Sequence, residues 1–283
     1  MLVYWGGLSL MSKKIKIALA QIDCQIKDKD KNIDHALEIL DQVKGYADII
    51  CFPELFTTGY DFEVIGSAFY DLAETIPGET TEILCKKARQ YKMAIIGGIV
   101  EKDEFSPDVL YDSAIVINKE GEIAGKYRKY FLYPLEHRYF KAGKEIPIFD
   151  LGAIQVGTAI CYDHAFPELF RVLTLKGAQI IFILSAIPEG FQYLLNLRAC
   201  ARAQDNQVFI AHVNRVGQDG ETQYCGLSKI VNPRGEIISE ASPTLEDVII
   251  EKINLEMIMQ ERKQERITKS LRAEIIRELK RLI

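Results

Sequence analysis

Residues 154–163 read IQVGTAICYD, a mostly apolar run that ends on Cys161 and is followed by the polar pair Tyr162-Asp163. A short β-branched run of this kind predicts a buried strand. A pattern with helical spacing follows at 168–176. Strands followed by helices are typical of α/β proteins, which place reactive side chains where strands end. The stretch therefore predicts an α/β fold and makes Cys161 a candidate reactive group.

The same alternation of apolar strands and amphipathic helices extends in both directions from this stretch. No fixed-period repeat or low-complexity linker interrupts it, and no change of composition marks a domain boundary. Residues 13–253 are therefore predicted to form one α/β domain with helices outside the sheets. Strands are predicted at 15–22, 47–52, 93–100, 111–118, 122–127, 154–160, 178–184, 208–213, 225–231 and 248–253, and helices at 30–44, 80–91, 168–176 and 191–205.

The composition argues against several other classes of protein. Of the 283 residues 48% are apolar, enough for a substantial core, and the net charge of −5 offers no basic surface to nucleic acid or anionic lipid. The longest apolar stretch, 178–187, is too short for a membrane helix of ~20 residues. The six cysteines form no CxxC pair and the four histidines show no HExxH spacing, so no metal site is predicted. Without an export signal we expect reduced thiols and a cytoplasmic location.

The two ends of the chain depart from the α/β pattern. The first ten residues, MLVYWGGLSL, lack the basic start and cleavage site of a secretory signal, so residues 1–12 are interpreted as an N-terminal extension with an upstream start ahead of Met11. Residues 254–283 are predicted to be an amphipathic helical segment that either packs on its own domain or serves as an oligomerisation arm. Its apolar residues are Leu255, Ile258, Ile267, Leu271, Ile275, Leu279 and Leu282.

Three predicted strands end on polar residues that could take part in chemistry. Glu54 follows the strand 47–52, Lys129 closes the basic cluster 127–129, and Cys161 ends its own strand. Each alone has an ordinary interpretation, namely a helix-initiating acid, a solvated lysine and a core cysteine. Together they place a possible base, cation and nucleophile on one α/β scaffold.

This combination resembles the three signature blocks of the nitrilase, or carbon-nitrogen hydrolase, superfamily. The blocks occur in the family's order, with Glu54, Lys129 and Cys161 spaced 75 and 32 residues apart, and the resemblance runs from about residue 14 to 253. The blocks are Phe52-Pro53-Glu54, Gly125-Lys126-Tyr127-Arg128-Lys129, and Ile160-Cys161-Tyr162-Asp163 with Phe166-Pro167-Glu168-Leu169, and a further match is Arg202-Ala203 with Asp205-Asn206.

The resemblance implies a four-layer αββα sandwich with a catalytic triad of Glu54, Lys129 and Cys161. It also implies a second active-site glutamate shortly after the lysine, a place that Glu136 fits. In such a site Cys161 attacks an amide carbonyl as a thiolate, an anion that a neighbouring Lys129 ammonium favours. Lys129 and the backbone N–H of Tyr162 would donate to the oxyanion, and Glu54 would act as general base. The scheme needs no metal and no organic cofactor.

The residues near the nucleophile bear on the substrate. Tyr162-Asp163 stands where nitrile-attacking relatives usually carry Trp-Glu, which favours amides over nitriles. Many relatives with Cys-Tyr-Asp have an arginine where this chain has Ala165, which weakens the case for a carboxylate-bearing substrate. Three further residues are candidates for the pocket wall, with core packing as the alternative: Tyr60, His164 and Phe191.

The sequence thus predicts a thiol amidohydrolase that releases ammonia from a small amide and forms a homodimer or a higher homo-oligomer. Hydrolysis of an N-carbamoyl amine or amino acid stays open, because it uses the same triad with a different pocket. A nitrilase and a catalytically silent scaffold are the weaker alternatives.

Overall fold

The computed structural model describes residues 14–282, so the predicted extension at 1–12 lies outside the described residues. Two six-stranded sheets face each other, and helices cover both outer faces. The predicted four-layer αββα sandwich is therefore confirmed. The strands are β1 (Lys14–Gln21), β2 (Ile49–Cys51), β3 (Ala94–Lys102), β4 (Leu110–Ile117), β5 (Ile123–Arg128), β6 (Phe149–Asp150), β7 (Gln155–Ile160), β8 (Ile180–Ser185), β9 (Phe209–Asn214), β10 (Gln218–Asp219), β11 (Thr222–Gln223), β12 (Lys229–Val231), β13 (Ile237–Glu240) and β14 (Asp247–Asn254).

The helices lie between these strands and after the last one. They are α1 (Lys29–Val43), α2 (Phe62–Ile65), α3 (Phe69–Leu72), α4 (Glu79–Tyr91), α5 (Pro167–Lys176), α6 (Gln192–Asn206), α7 (Glu256–Gln264) and α8 (Ala273–Leu282).

The strand order brings the candidate residues to one end of the sandwich. The first sheet has the order β14-β1-β2-β3-β4-β5 and the second β13-β12-β9-β8-β7-β6. β1, β2 and β3 run parallel, as do β7, β8 and β9. Because the carboxyl ends of parallel strands meet at one edge of a sheet, loops that follow them can converge on one site. Glu54 follows β2, and Cys161 follows β7.

Apolar side chains from both sheets fill the space between them. Side chains of alternating residues, such as Ile17 and Leu19 of β1, pack there against Phe182 and Leu184 of β8. The intervening residues of the first sheet pack against α1 and α4, and those of the second sheet against α5 and α6. Because both faces of each sheet are buried, the sequences of the strands are nearly continuous apolar runs.

The structure corrects several local predictions. The strand predicted at 225–231 is shorter and covers only Lys229–Val231, because Gly226 and Leu227 have φ values of 52° and 60° that a strand cannot accommodate. The short helices α2 and α3 and the edge strand β13 were not predicted. Each has only four residues, too few to show a period in the sequence.

The C-terminal segment divides into two parts with different packing. Leu255 and Ile258, at the start of α7, are buried in the core between the sheets. Helix α8 has no buried residue in its described span, and Ile275 and Leu282 are 53% and 76% exposed. The predicted apolar stripe is interrupted by the 3-10 turn Thr268–Ser270, so only its last part follows one helix. None of the helices within 14–282 is both long and apolar enough to cross a membrane.

We expect the protein to be a homo-oligomer, most simply a twofold dimer, that covers the apolar face of α8. Removing the residues after Glu265 should then change the assembly before it changes the chemistry, because Glu54, Lys129 and Cys161 all precede the cut. Light scattering at micromolar concentration checks both statements. A full-length mass near the 32.1 kDa of one chain would contradict the first. A truncated protein in the same assembly as the full chain would show that α8 packs on its own domain.

Candidate active site

Cys161 lies at the sharp turn between β7 and a 3-10 helix, Cys161–Ala165. Its φ of 40° is in the left-handed region, which a residue with a Cβ atom adopts at a cost of order 1–3 kcal/mol. The turn directs the side chain into a cleft of about 600 Å³. Cys161 is thus a strained strand-end residue that opens onto a cavity large enough for a small molecule.

Lys129, directly after β5, holds two glutamates in place with its ammonium group. Its Nζ donates to Oε1 of Glu54 at 2.6 Å and to Oε1 of Glu136 at 2.5 Å, and all three side chains are fully buried. The sequence places these residues in three separate segments, and the fold brings them together. Charge-assisted hydrogen bonds of this length fix the position of the ammonium.

Other donors fix the remaining oxygens of the two glutamates. The backbone N–H of Ala186, just after β8, donates to Oε2 of Glu54 at 2.8 Å. The hydroxyl of Tyr60 donates to Oε1 of Glu136 at 2.5 Å, and the backbone N–H of Tyr133 donates to Oε2 at 2.9 Å. Glu54 therefore bridges the two sheets, and Tyr60 connects the cleft wall to Glu136.

A third buried carboxylate, Asp112 of β4, was not among the predicted site residues. Its Oδ2 lies 3.4 Å from Nζ of Lys129, and carboxylate oxygens of Asp112, Glu54 and Glu136 lie within 4.8 Å of one another. Such a set could bind a divalent cation, but Nζ of Lys129 already lies among these oxygens. The only sequence signal for Asp112 is an acid in an otherwise apolar predicted strand.

Asp163 anchors the turn that carries Cys161. Its Oδ2 accepts from the Tyr127 hydroxyl at 2.7 Å and from the Ile160 N–H at 2.9 Å, and its Oδ1 accepts from the Phe131 N–H at 2.8 Å. Burial nevertheless raises the pKa of Asp163 to about 6. These bonds tie the end of β7 to the segment that contains Lys129. The sequence analysis gave Asp163 no role, although it lies in a signature block.

The surroundings of Cys161 oppose ionisation of its thiol. Burial raises the pKa of Cys161 well above its usual value, and the charge of Glu54 raises it further, whereas the Lys129 ammonium acts in the opposite direction. Burial also raises the pKa of Glu54, against the effect of Lys129. Of these three influences on the Cys161 pKa, only that of the ammonium was expected from the sequence. The resting thiol is therefore protonated, and a thiolate needs a base that removes the proton.

His164 lies in the wall of the cleft with only 4% of its surface exposed. Its ring meets that of His212 edge-on at 5.7 Å, and its Nδ1 has no hydrogen-bond partner among the described residues. Burial, and then the charge of Arg198, lower the pKa of His164 to about 3. The imidazole is therefore neutral at physiological pH.

The other two predicted wall residues, Tyr60 and Phe191, also line this cleft. Its surface is mainly apolar, and helix α6 contributes one cation, Arg198. One turn later, Arg202 donates to the carbonyl oxygens of His164 at 3.2 Å and Ala165 at 3.4 Å. Arg198 was not predicted, although its spacing of four residues from Arg202 would place both on one helix face.

Comparison with known proteins shows which family this chain resembles in sequence and in fold. The sequence model of the carbon-nitrogen hydrolases matches residues 16–263. The chain is 39% identical over 252 residues to a nitrilase of Pyrococcus abyssi, covering 88% of this chain and 93% of that protein. It is 33% identical over 233 residues to the 2-oxoglutaramate amidase of Bacillus subtilis, covering 80% and 86%. Among solved structures, Saccharomyces cerevisiae Nit3, a member of branch 10 of the nitrilase superfamily, superposes with a TM-score of 0.84 at 27% identity, covering 94% and 99%.

The buried neutral imidazole of His164 should make the protein less stable in acid. The pKa of His164 is 6.5 in the unfolded chain and about 3 in the folded protein. Its contribution to the free energy of unfolding is therefore complete above pH 6.5 and is lost as the pH falls below 6.5, because only the unfolded chain then binds the proton. Between pH 7.5 and pH 5 this costs about 2 kcal/mol of the free energy of unfolding. His164→Gln should lose correspondingly less over that interval, as measured by urea denaturation at both pH values.

His137→Gln is the matched control, because His137 is exposed. It should show the same pH dependence as the unmodified protein. An unchanged pH dependence in His164→Gln would contradict the neutral buried state of this imidazole.

Proposed function

The chain belongs to the carbon-nitrogen hydrolase family, and we propose that it hydrolyses the C–N bond of a small amide through a thioester on Cys161, releasing ammonia. The observation that carries the proposal is the buried contact of Lys129 with Glu54 and Glu136, which are hydrogen-bonded to residues that line the same cleft as Cys161. This arrangement offers a nucleophile, a base and a fixed cation at one place. These are the groups that acyl transfer requires.

In the first half of the reaction, Glu54 takes the proton of the Cys161 thiol as sulfur attacks the amide carbonyl carbon. The tetrahedral intermediate carries a negative oxygen. Glu54 then gives its proton to the departing nitrogen, the C–N bond breaks, and ammonia leaves a thioester behind. The raised pKa values of Cys161 and Glu54 support this order, because the thiol stays protonated until substrate arrives and the carboxylate can both accept and return a proton.

In the second half, Glu54 removes a proton from a water molecule that attacks the thioester carbonyl. The C–S bond breaks, the carboxylic acid product leaves, and the proton on Glu54 returns to the Cys161 sulfur. Each half therefore ends with Glu54 again ionised and ready for the next step.

We assign oxyanion stabilisation in both halves to Lys129 and the backbone N–H of Tyr162. Tyr162 is the second residue of a one-turn 3-10 helix, where N–H groups have no acceptor within the helix. Lys129 cannot swing away, because Glu54 and Glu136 hold its ammonium on two sides. A fixed donor of this kind contributes about 3 kcal/mol to the stability of the transition state. Glu136 positions Lys129.

We further propose that Arg198 recognises a carboxylate at the far end of the substrate. The relative from Bacillus subtilis is named for an amide that bears a carboxylate, and Ala165 leaves this chain without the arginine that many relatives have at that place. Arg198 supplies a half-buried guanidinium to the same cleft, and its charge acts on His164, the neighbour of Ala165 in the chain. Arginine suits this role because its planar fork matches a carboxylate.

Hydrolysis of an N-carbamoyl amine is the second candidate, because three acids also line the cleft. Asp61, Glu63 and Glu221 would favour a cationic substrate, and the last two are exposed. A panel of neutral amides, ω-amides of dicarboxylic acids, carbamoyl amines, carbamoyl amino acids and nitriles, scored by ammonia release, separates these possibilities. Preferred release from carbamoyl amines or nitriles would replace the leading proposal.

The scaffold alternative is tested by labelling. Iodoacetamide should modify Cys161 stoichiometrically, and an amide substrate should protect it.

The six cysteines have free thiols, which is consistent with our proposal of a reducing, cytoplasmic location.

Replacing the residues of the triad should separate their roles. Cys161→Ala should abolish turnover with the fold retained. Glu54→Gln and Lys129→Gln should each lower kcat/KM by at least ~10²-fold. Lys129→Gln should raise the pKa of Cys161, and Glu54→Gln should lower it, because the ammonium stabilises the thiolate and the carboxylate opposes it. The pH dependence of iodoacetamide alkylation measures this pKa.

Circular dichroism of each variant shows whether the fold is retained. Activity above a few per cent in purified Cys161→Ala, or the opposite order of the two pKa changes, would contradict the assigned roles.

Arg198→Met should lower kcat/KM at least about tenfold for an ω-amide with a distal carboxylate, since a hydrogen bond to a charged group contributes about 1.5–3 kcal/mol. Neutral amides should change by less than about twofold, because they make no use of the guanidinium. Steady-state kinetics on one amide of each kind measures the difference. Arg234→Met serves as control, because Arg234 pairs with Glu261 on the surface. Equal losses for both kinds of amide would refute carboxylate recognition by Arg198.

A further inference from the structure

The buried centre around Lys129 contains more negative groups than positive ones. Asp112, Glu54 and Glu136 supply three carboxyl groups, and Lys129 supplies the one ammonium that residues 14–282 place within 4 Å of them. All four side chains are 0% exposed. Three ionised carboxylates around one ammonium would leave two uncompensated charges without water, which is prohibitively costly. At least one carboxyl group must therefore hold a proton.

The hydrogen bonds show which carboxyl groups are suited to a negative charge. Glu54 accepts from Lys129 and the Ala186 N–H. Glu136 accepts from Lys129, the Tyr60 hydroxyl and the Tyr133 N–H. Each therefore has at least two donors directed at its oxygens, the condition that stabilises a carboxylate.

Asp112 lacks such support. Neither of its carboxyl oxygens accepts a hydrogen bond from an N–H or O–H group of the described residues. Its closest cation, Nζ of Lys129, is 3.4 Å away and is already hydrogen-bonded to Glu54 and Glu136. The Asp112 carboxyl group does, however, lie against that of Glu54. A proton on Asp112 would turn this repulsive contact into a hydrogen bond.

We propose that Asp112 is a positioning residue that holds a proton in the resting enzyme and donates it as a hydrogen bond to the Glu54 carboxylate. The inference rests on the proposed function of Glu54 as general base. It explains how Glu54 stays ionised in a site with three carboxyl groups, since the proton that the site must hold is on a neighbour. Asp112 touches neither the substrate nor Cys161 in this role and acts through Glu54.

The other groups around Asp112 agree with this assignment. Burial raises the pKa of Asp112 well above its usual value, and the charge of Glu54 raises it further, against the ammonium of Lys129. Glu136 acts in the same direction as Glu54. Tyr127, a further titratable side chain whose charge interacts with Asp112, donates its own proton to Asp163 and gives none to Asp112.

Infrared spectroscopy of the resting enzyme detects the proton without any turnover. A buried carboxylic acid has a C=O stretch at higher frequency than a carboxylate, and the band shifts in deuterium oxide. The D112N variant should lose one such band and no carboxylate band at pH 8. The matched control is D163N, because Asp163 accepts three hydrogen bonds and is ionised at that pH. D163N should lose a carboxylate band instead. Loss of a carboxylate band in D112N would overturn the inference.

Kinetics of two variants tests whether the hydrogen bond matters. D112N keeps a donor next to Glu54 and should retain kcat/KM within about threefold, with the acid limb of the pH profile in place. D112L has similar volume and no donor. It should move the acid limb upward by about one pH unit and therefore lower kcat/KM about tenfold at pH values below that limb, with a smaller loss above it, because the Glu54 carboxylate loses its stabilising partner. Equal loss in both variants, or none in either, would overturn the positioning role.

If D112L does not fold, D112A replaces it in the comparison, since alanine also has no donor. The two kinds of failure are distinguishable. If the carboxylic acid band is absent but amides are hydrolysed, only the role of Asp112 is refuted. If the band is present but no amide in the panel is hydrolysed, Asp112 does hold a proton and the proposed function is refuted.

Discussion

The ammonium of Lys129, surrounded by carboxyl groups that water does not reach, is the interaction on which the rest of the site depends. Removing one partner of a buried ion pair typically costs 3–5 kcal/mol, because the other charge is left uncompensated. Here the cation is hydrogen-bonded to Glu54 and Glu136, and the carboxyl group of Asp112 lies 3.4 Å away. The fold must therefore hold four separate segments of the chain in fixed positions around Nζ of Lys129. That requirement makes the site rigid before any substrate enters.

This centre also determines how the two sheets are joined at the end that carries the chemistry. Glu54, from the first sheet, accepts from the Ala186 N–H after a strand of the second. Asp163, beside the nucleophile, accepts from Tyr127 of the first sheet. The hydrogen bonds of Asp163 thus hold the turn in which Cys161 has its left-handed backbone. Strain at a functional residue persists when the surrounding contacts over-determine its position.

The chemical groups and the cleft wall come from different parts of the fold. The triad lies at strand ends, which the two sheets hold fixed. Arg198 and Phe191 come from α6 and its start, and Asp61, Glu63 and Glu221 come from α2 and the loops at the mouth. Side chains on helix surfaces and loops can change without disturbing the sheets.

The sequence by itself determined the α/β class, most strands and helices, and the strand-end positions of Glu54, Lys129 and Cys161, because these depend on local apolar periodicity and on short motifs. Only the tertiary structure decided that Asp112 lies beside Glu54 and Lys129, that Asp163 anchors the turn at Cys161 and that Arg198 enters the cleft. It also decided that the Cys161 thiol rests protonated. Contacts between distant segments and exclusion of water set these properties, and neither can be read from neighbouring residues along the chain.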